Sequence, residues 1–163
     1  MIVPHARPIR AIVLTGRGRN SMPAPDVCAN GTTMPKVEGV LHFTIPVKDL
    51  DRSEKFYTEI LGFTKIGRTD RIVFMRAGND FFNLTFSENP ITQNAAGRHE
   101  IHSAFRVTPD VYDETLKSLP AKGVEIFKEE DRRAGVFVGR SAYIRDPDGN
   151  VIEFIDLKRA PAT

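Results

Sequence analysis

A chain of 163 residues, 40% hydrophobic and 27% charged, is long enough for one packed domain and too apolar for a disordered one. No apolar run nears the roughly 20 residues that span a bilayer, which excludes a membrane helix. The single cysteine, Cys28, excludes an internal disulfide and a cysteine-built zinc site. The net charge of +2 is unevenly placed: Arg7, Arg10, Arg17 and Arg19 face only Asp26 in residues 1–33, and the remainder is one charge negative. Nothing in that remainder asks for nucleic acid.

Residues 1–36 hold five prolines, a Gly-rich stretch at 15–19, and an apolar run at 11–14 too short for a signal-peptide core. They read as a leader outside the fold: a disordered extension, an Arg-rich transit peptide, or a start placed upstream of Met34. The domain is expected over 37–158, with a tail at 159–163. Residues 41–47 (LHFTIPV) alternate apolar and polar positions, as a strand does. Asp49 then caps a helix over 51–61, where Phe56, Ile60 and Phe63 trace an apolar stripe, and Gly62 ends it. Strands are predicted over 64–68, 71–76 and 81–87, with the turn AGND at 77–80 between the last two.

The second half repeats the first. A strand is predicted at 101–107, a helix at 110–121 stopped by Gly123, and strands at 124–127, 141–145 and 151–156. The turn DPDGN at 146–150 joins the last two. His102 lies sixty residues after His42, and Lys122-Gly123-Val124 sixty-one after Leu61-Gly62-Phe63. Tyr143-Ile144-Arg145 follows Phe74-Met75-Arg76 by sixty-nine, and Glu153 follows Asn83 by seventy. The predicted class is therefore α+β, with two paired βαβββ modules at about 38–88 and 99–157. Their two four-stranded sheets would enclose a cleft about a pseudo-twofold axis.

That axis would bring His42, Asn83, His102 and Glu153 to one point. Two imidazoles and a carboxylate suit a divalent transition metal and leave positions open for substrate. Both histidines fall out of phase with their apolar neighbours, which predicts Leu41, Phe43, Ile45 and Val47, then Ile101, Phe105 and Val107, on the packed face. A lone strand histidine is ordinarily a surface residue. The matched places and the carboxylate at the matching end set these two apart. His5 lies in the leader, and His99 reads as a loop residue before the fifth strand.

The segments LHFTIPVKDLDRSEKFYTEILGF (41–63) and SAYIRDPDGNVIEFID (141–156) resemble the opening and closing segments of vicinal oxygen chelate proteins, and the resemblance covers about residues 38–157. That superfamily includes glyoxalase I (lactoylglutathione lyase), extradiol dioxygenases, fosfomycin-modifying transferases and bleomycin-binding resistance proteins. The resemblance implies metal ligands on the first, fourth, fifth and eighth strands. Glyoxalase-type members carry a glutamate where Asn83 stands, and an amide is no general base.

What remains is the two-histidine, one-glutamate face shared by extradiol dioxygenases and fosfomycin transferases. In both groups a tyrosine resembling Tyr143 contacts substrate. Residues 132–139 offer Arg133 but no lysine and serine set for a phosphonate, and His99 is the one candidate for a second acid–base group. The expectation is thus an extradiol-type dioxygenase cleaving a small catechol-like diol, with His42, His102 and Glu153 holding the metal, Fe(II) favoured. Tyr143 would be catalytic and Asn83 and Arg145 substrate-binding, with Arg76 and Arg140 as further cations. The alternatives are a glyoxalase I-like lyase with Ni, Zn or Mn, and a metal-free bleomycin-type binding protein. A cytoplasmic homodimer with a small-molecule substrate, and no nucleic acid or membrane partner, completes the reading. A cleft within one chain and a cleft across two both fit it.

Overall fold

The computed structural model describes residues 37–90 and 98–159, so the expectations for the leader at 1–36 and for the end of the tail lie outside the described residues. Val40–Thr163 forms one compact unit. Its first strand, β1 (His42–Val47), leads through Asp49, whose carboxylate accepts the Arg52 amide at 3.0 Å and starts α1 (Leu50–Lys55). The sequence predicts a continuous α-helix here. Instead the chain widens into a π-helical turn (Phe56–Ile60), in which Leu61 donates to the Phe56 carbonyl. The wider turn accompanies burial of both neighbours, Phe56 and Tyr57. Gly62, at φ 77°, then turns the chain out of the helix in a conformation that residues with a Cβ resist.

Three strands complete the module: β2 (Thr64–Arg68), β3 (Ile72–Ala77) and β4 (Asp80–Phe86). The sheet order is β1-β4-β3-β2, with β1 parallel to β4 and the other pairs antiparallel. The second module consists of β5 (Ser103–Val107), α2 (Pro109–Ala121), β6 (Ile126–Arg132), β7 (Val138–Arg145) and β8 (Val151–Arg159). It repeats the arrangement as β5-β8-β7-β6. The paired βαβββ architecture is thus as the repeat predicts, and the ladders carry the repeat residue by residue. Thr44 faces Asn83 as Ala104 faces Glu153, and Phe74 faces Asn83 as Tyr143 faces Glu153. Even the irregularities correspond, at Lys65/Gly67 and at Ile126/Lys128.

The ladders begin at His42 and Ser103, so Leu41 and Ile101 precede them and are 77% and 53% exposed rather than packed. β6 also runs to Arg132, well past the predicted end at 127. Its sequence IFKEEDR is wholly charged after Phe127 and gives no apolar alternation to mark a strand.

One core joins the modules. Phe82 is fully buried, with ring centroids 5.4 Å from Phe105 of the second module and 5.2–5.7 Å from Phe63, Phe43 and Tyr57 of its own. A polar clamp reinforces it. Tyr57 donates to Asp146 at 3.0 Å, Asn150 donates to the Pro46 carbonyl at 2.9 Å, and Arg52 pairs with Asp148 at 2.6 Å. The turn at 146–150, which joins β7 to β8, is therefore fixed by the other module. Asp146 is buried, which pushes its carboxyl above the usual range, while hydrogen bonds from Asn150, Asp148 and Tyr57 pull the other way.

Gly139 sits where β7 slips register against β8, and a Cβ there would collide with the Asp156 carbonyl. A backbone atom in a central ladder has little room to yield. Gly139→Ala is expected to cost about 1–3 kcal/mol in chemical denaturation, the scale of overpacking. An unchanged midpoint would show that the strand shifts freely.

Candidate metal site

Strands β5 and β8 lie side by side and parallel, which puts residues entering β5 next to the start of β8. His102, just ahead of β5, turns its Nε2 to within 2.9 Å of Glu153 Oε2. Its other ring nitrogen, Nδ1, lies 2.6 Å from the carbonyl of His99. A carbonyl only accepts, so Nδ1 carries the proton. Nε2 and a carboxylate oxygen, both electron-rich, then face each other at hydrogen-bonding distance, an arrangement that requires a positive centre between or upon them. A proton on the imidazole or a metal cation would each supply it.

Glu153 is 2% exposed and held from the opposite side. Arg132 Nη2 donates to Glu153 Oε1 and, at 2.8 Å, to the Ser141 hydroxyl. The Tyr143 hydroxyl stands 3.2 Å from both Glu153 Oε1 and Glu130 Oε2, with one proton to give to either. Burial and the neighbouring carboxylate of Glu153 push the phenol well above its usual range, so it keeps its proton and acts as a hydrogen-bond donor. Oε1 is thus occupied by protein donors while Oε2 is left to the imidazole. A backbone carbonyl fixing the tautomer and donors fixing the carboxylate are what metal ligands generally have behind them.

The remaining groups come from β6 and the segment before β5. Lys128 pairs with Glu130 at 2.5 Å and donates to His99 Nε2 at 2.9 Å, and this pairing holds the Glu130 carboxyl below its usual range. His99 packs edge-on against Tyr143 with centroids 4.7 Å apart. Arg132 Nε is buried and, among the described residues, has no hydrogen-bond partner. Such an orphan costs about 1–3 kcal/mol unless something meets it.

Of the residues singled out in the sequence, His102, Glu153 and Tyr143 are brought together. His42 and Asn83 lie on the first sheet, in register with Phe81 and with Thr44 and Phe74 respectively. Among the described residues no three His, Cys, Asp or Glu side chains form a ligand set, so His42 does not complete the site within this chain. Arg145 is engaged by the carbonyls of Gly149 and Arg98 and stacks over Phe127. Arg140 lies on the other face, bound to Asp156 and Asp113 across the Tyr112 ring, where it ties α2 to the sheet. Lys128, Glu130 and Arg132 escaped the sequence reading. Their alternation, every second residue of a charged run, was the available signal. His99, expected in a loop before the fifth strand, lies there and meets the His102 ring through its carbonyl.

Two tandem βαβββ modules, with a histidine just ahead of β5 and a carboxylate on its parallel neighbour β8, frame the candidate site. The chain belongs to the Glyoxalase/Bleomycin resistance protein/Dioxygenase superfamily, which it matches over residues 39–154. It is 31% identical over 136 residues to a probable lactoylglutathione lyase of Vibrio parahaemolyticus, covering 76% of this chain and 94% of the relative. It is 29% identical over 119 residues to the fosfomycin resistance protein FosX of Listeria monocytogenes, covering 72% and 88%. The crystal structure of a point mutant of FosX from Listeria monocytogenes, complexed with Mn(II) and 1S,2S-dihydroxypropylphosphonic acid, superposes with a TM-score of 0.60 at 25% identity, covering 74% of this chain and 91% of that one. That FosX crystal holds Mn(II) and a small phosphonate, and among the described residues of this chain no helix is long and apolar enough to cross a membrane.

Proposed function

We propose that this chain is a divalent-metal-dependent enzyme acting on a small anion with two adjacent oxygens, and that it opens the epoxide of a fosfomycin-like phosphonate. The observation that carries the metal is His102 Nε2 set against Glu153 Oε2 with Nδ1 already committed to a carbonyl. His102 and Glu153 would hold the ion, and His42 of a second copy would supply the third ligand. A bound divalent cation would polarise the substrate oxygens and stabilise negative charge developing there.

The chain's own charges favour an anionic substrate. Lys128 and Arg132 already balance Glu130 and Glu153. A divalent ion therefore adds positive charge that only a ligand can neutralise. The Tyr143 hydroxyl, kept protonated beside Glu153, would donate a hydrogen bond to a substrate oxygen that gathers charge. Water adding across one C–O bond of the epoxide would leave a vicinal diol, the chemistry of the compound bound in the similar FosX crystal.

The Vibrio lyase, the most identical of these relatives, supports a glyoxalase-like reading. Asn83 weighs against it, because an amide cannot move the substrate proton. The catechol dioxygenase expected from the sequence finds no counterpart among these relatives, and neither does its preference for iron.

The test is metal analysis of protein purified without chelator and loaded separately with Mn(II), Fe(II), Ni(II) or Zn(II), followed by phosphorus NMR of fosfomycin under each metal. The expected result is about one ion per chain, weakened at least about tenfold in Glu153→Gln, with conversion of the phosphonate under Mn(II). Absence of metal affinity would sink the site. Stoichiometric Fe(II) with oxygen uptake on catechols would replace the phosphonate reading by the dioxygenase.

A further inference from the structure

A cavity of about 720 Å³ lies at the seam between the modules, and neither His102 nor Glu153 lines it. Its lining includes six phenylalanines: Phe43, Phe63, Phe81, Phe82, Phe105 and Phe154. Part of the apolar lining is open to solvent, with Phe81 39% and Val111 49% exposed. The volume falls in the range of small-molecule sites.

The charges beside it stand apart from those elsewhere in the molecule. Arg52, Arg68, Arg98, Arg132, Arg133 and Arg140 each pair with a carboxylate. Arg145 binds two carbonyls and Arg71 lies over the Phe86 ring. Among the described residues, Arg76 and Arg106 have no hydrogen-bond, ion-pair or ring partner, and both line this cavity. Arg76 comes from the first sheet, in the row that contains Phe81 and His42. Arg106 comes from β5, on the face that carries Glu153. Asp80 also lines the cavity, so two positive charges stand against one negative. An unpaired surface arginine is commonplace. Two from different sheets lining one hollow rich in phenylalanine make a recognition pattern, apolar surface for a ring or chain and guanidinium donors for a planar anion.

We infer that this seam cavity binds an amphipathic organic anion, an aromatic or short-chain carboxylate whose apolar body sits among the phenylalanines and whose head is held by Arg76 and Arg106. The site is separate from His102 and Glu153, neither of which lines it. His102 and Arg106 are four residues apart, roughly 13 Å at the rise of a strand. Occupancy at the seam of the shared core would stiffen the packing of one module on the other. The inference does not rest on the proposed reaction.

The test uses the full chain and the aromatic sulfonate 8-anilinonaphthalene-1-sulfonate, whose fluorescence reports binding, with 4-phenylbutyrate and 4-phenylbutanol as competitors. Binding should saturate at about one dye per chain, and the acid should compete about tenfold better than the alcohol. Arg76→Gln combined with Arg106→Gln should erase that preference while metal content and unfolding midpoint stay at wild-type values. Val111→Trp, which fills the mouth without touching the core, should block the dye. Equal competition by acid and alcohol, or a preference surviving the double substitution, would overturn the inference. So would dye binding that disappears as copies associate, because the hollow would then be a contact between chains.

Discussion

His42→Ala and His102→Ala chains, each expected to lose metal alone, should recover about a quarter of the wild-type metal content when refolded together. The expectation follows from where the ligands lie. His102 and Glu153 meet on adjacent strands of the second sheet, while His42 belongs to the first and does not join them within the chain. If the third ligand comes across a twofold interface, a mixed dimer pairs the intact His42 of one chain with the intact His102 of the other. Its second site receives both substitutions. Random pairing makes half of the dimers mixed, each with one of two sites restored. Metal content after co-refolding reads the result directly. No recovery, with both variants still dimeric and folded, would place the third ligand elsewhere. A His42→Ala chain that keeps its metal unaided would remove His42 from the site.

The largest effect on stability is expected from Phe82→Ala, at about 3–5 kcal/mol. Phe82 is fully buried, and its ring touches four other aromatic rings from both modules. Removing it opens a void that the sheets cannot close, since each neighbour is held by its own strand or helix. Domains of this size commonly have about 5–15 kcal/mol in total, so the variant should sit near its unfolding threshold at 37 °C. Urea denaturation measures the loss. A cost below about 1 kcal/mol, the least expected even of a modest core truncation, would show that the modules are held together elsewhere. The polar clamp around Asp146 would then be the place to look.

The architecture was legible because duplication writes itself into offsets. A shift of sixty for the first strands and seventy for the last fixed which residues correspond, and the ladders pair Thr44 with Asn83 and Ala104 with Glu153 accordingly. Caps and stops were equally plain at Asp49, Gly62 and Gly123. The π-helical turn was not, since nothing in FYTEI distinguishes one extra residue per turn from an ordinary helix. Half of the site was also hidden. Lys128, Glu130 and Arg132 reach Tyr143 and Glu153 only because β6 pairs with β7, and a charged strand looks like a loop until its partner is known. Leu41 and Ile101 were misplaced for the converse reason: apolar periodicity ran on past the first rung of each ladder.

The matched registers have a consequence for how chemistry is distributed over this backbone. Both halves present the same three places: before or at the first rung of the leading strand, midway along the third strand, and opposite it on the fourth. The second half fills them with His102, Tyr143 and Glu153; the first fills them with His42, Phe74 and Asn83. The first half is in that sense a muted copy, two side chains away from the donor pattern of the second. Reactivity here is a property of occupants rather than of scaffold, and Phe74 and Asn83 are the positions at which a dormant site could be awakened by design.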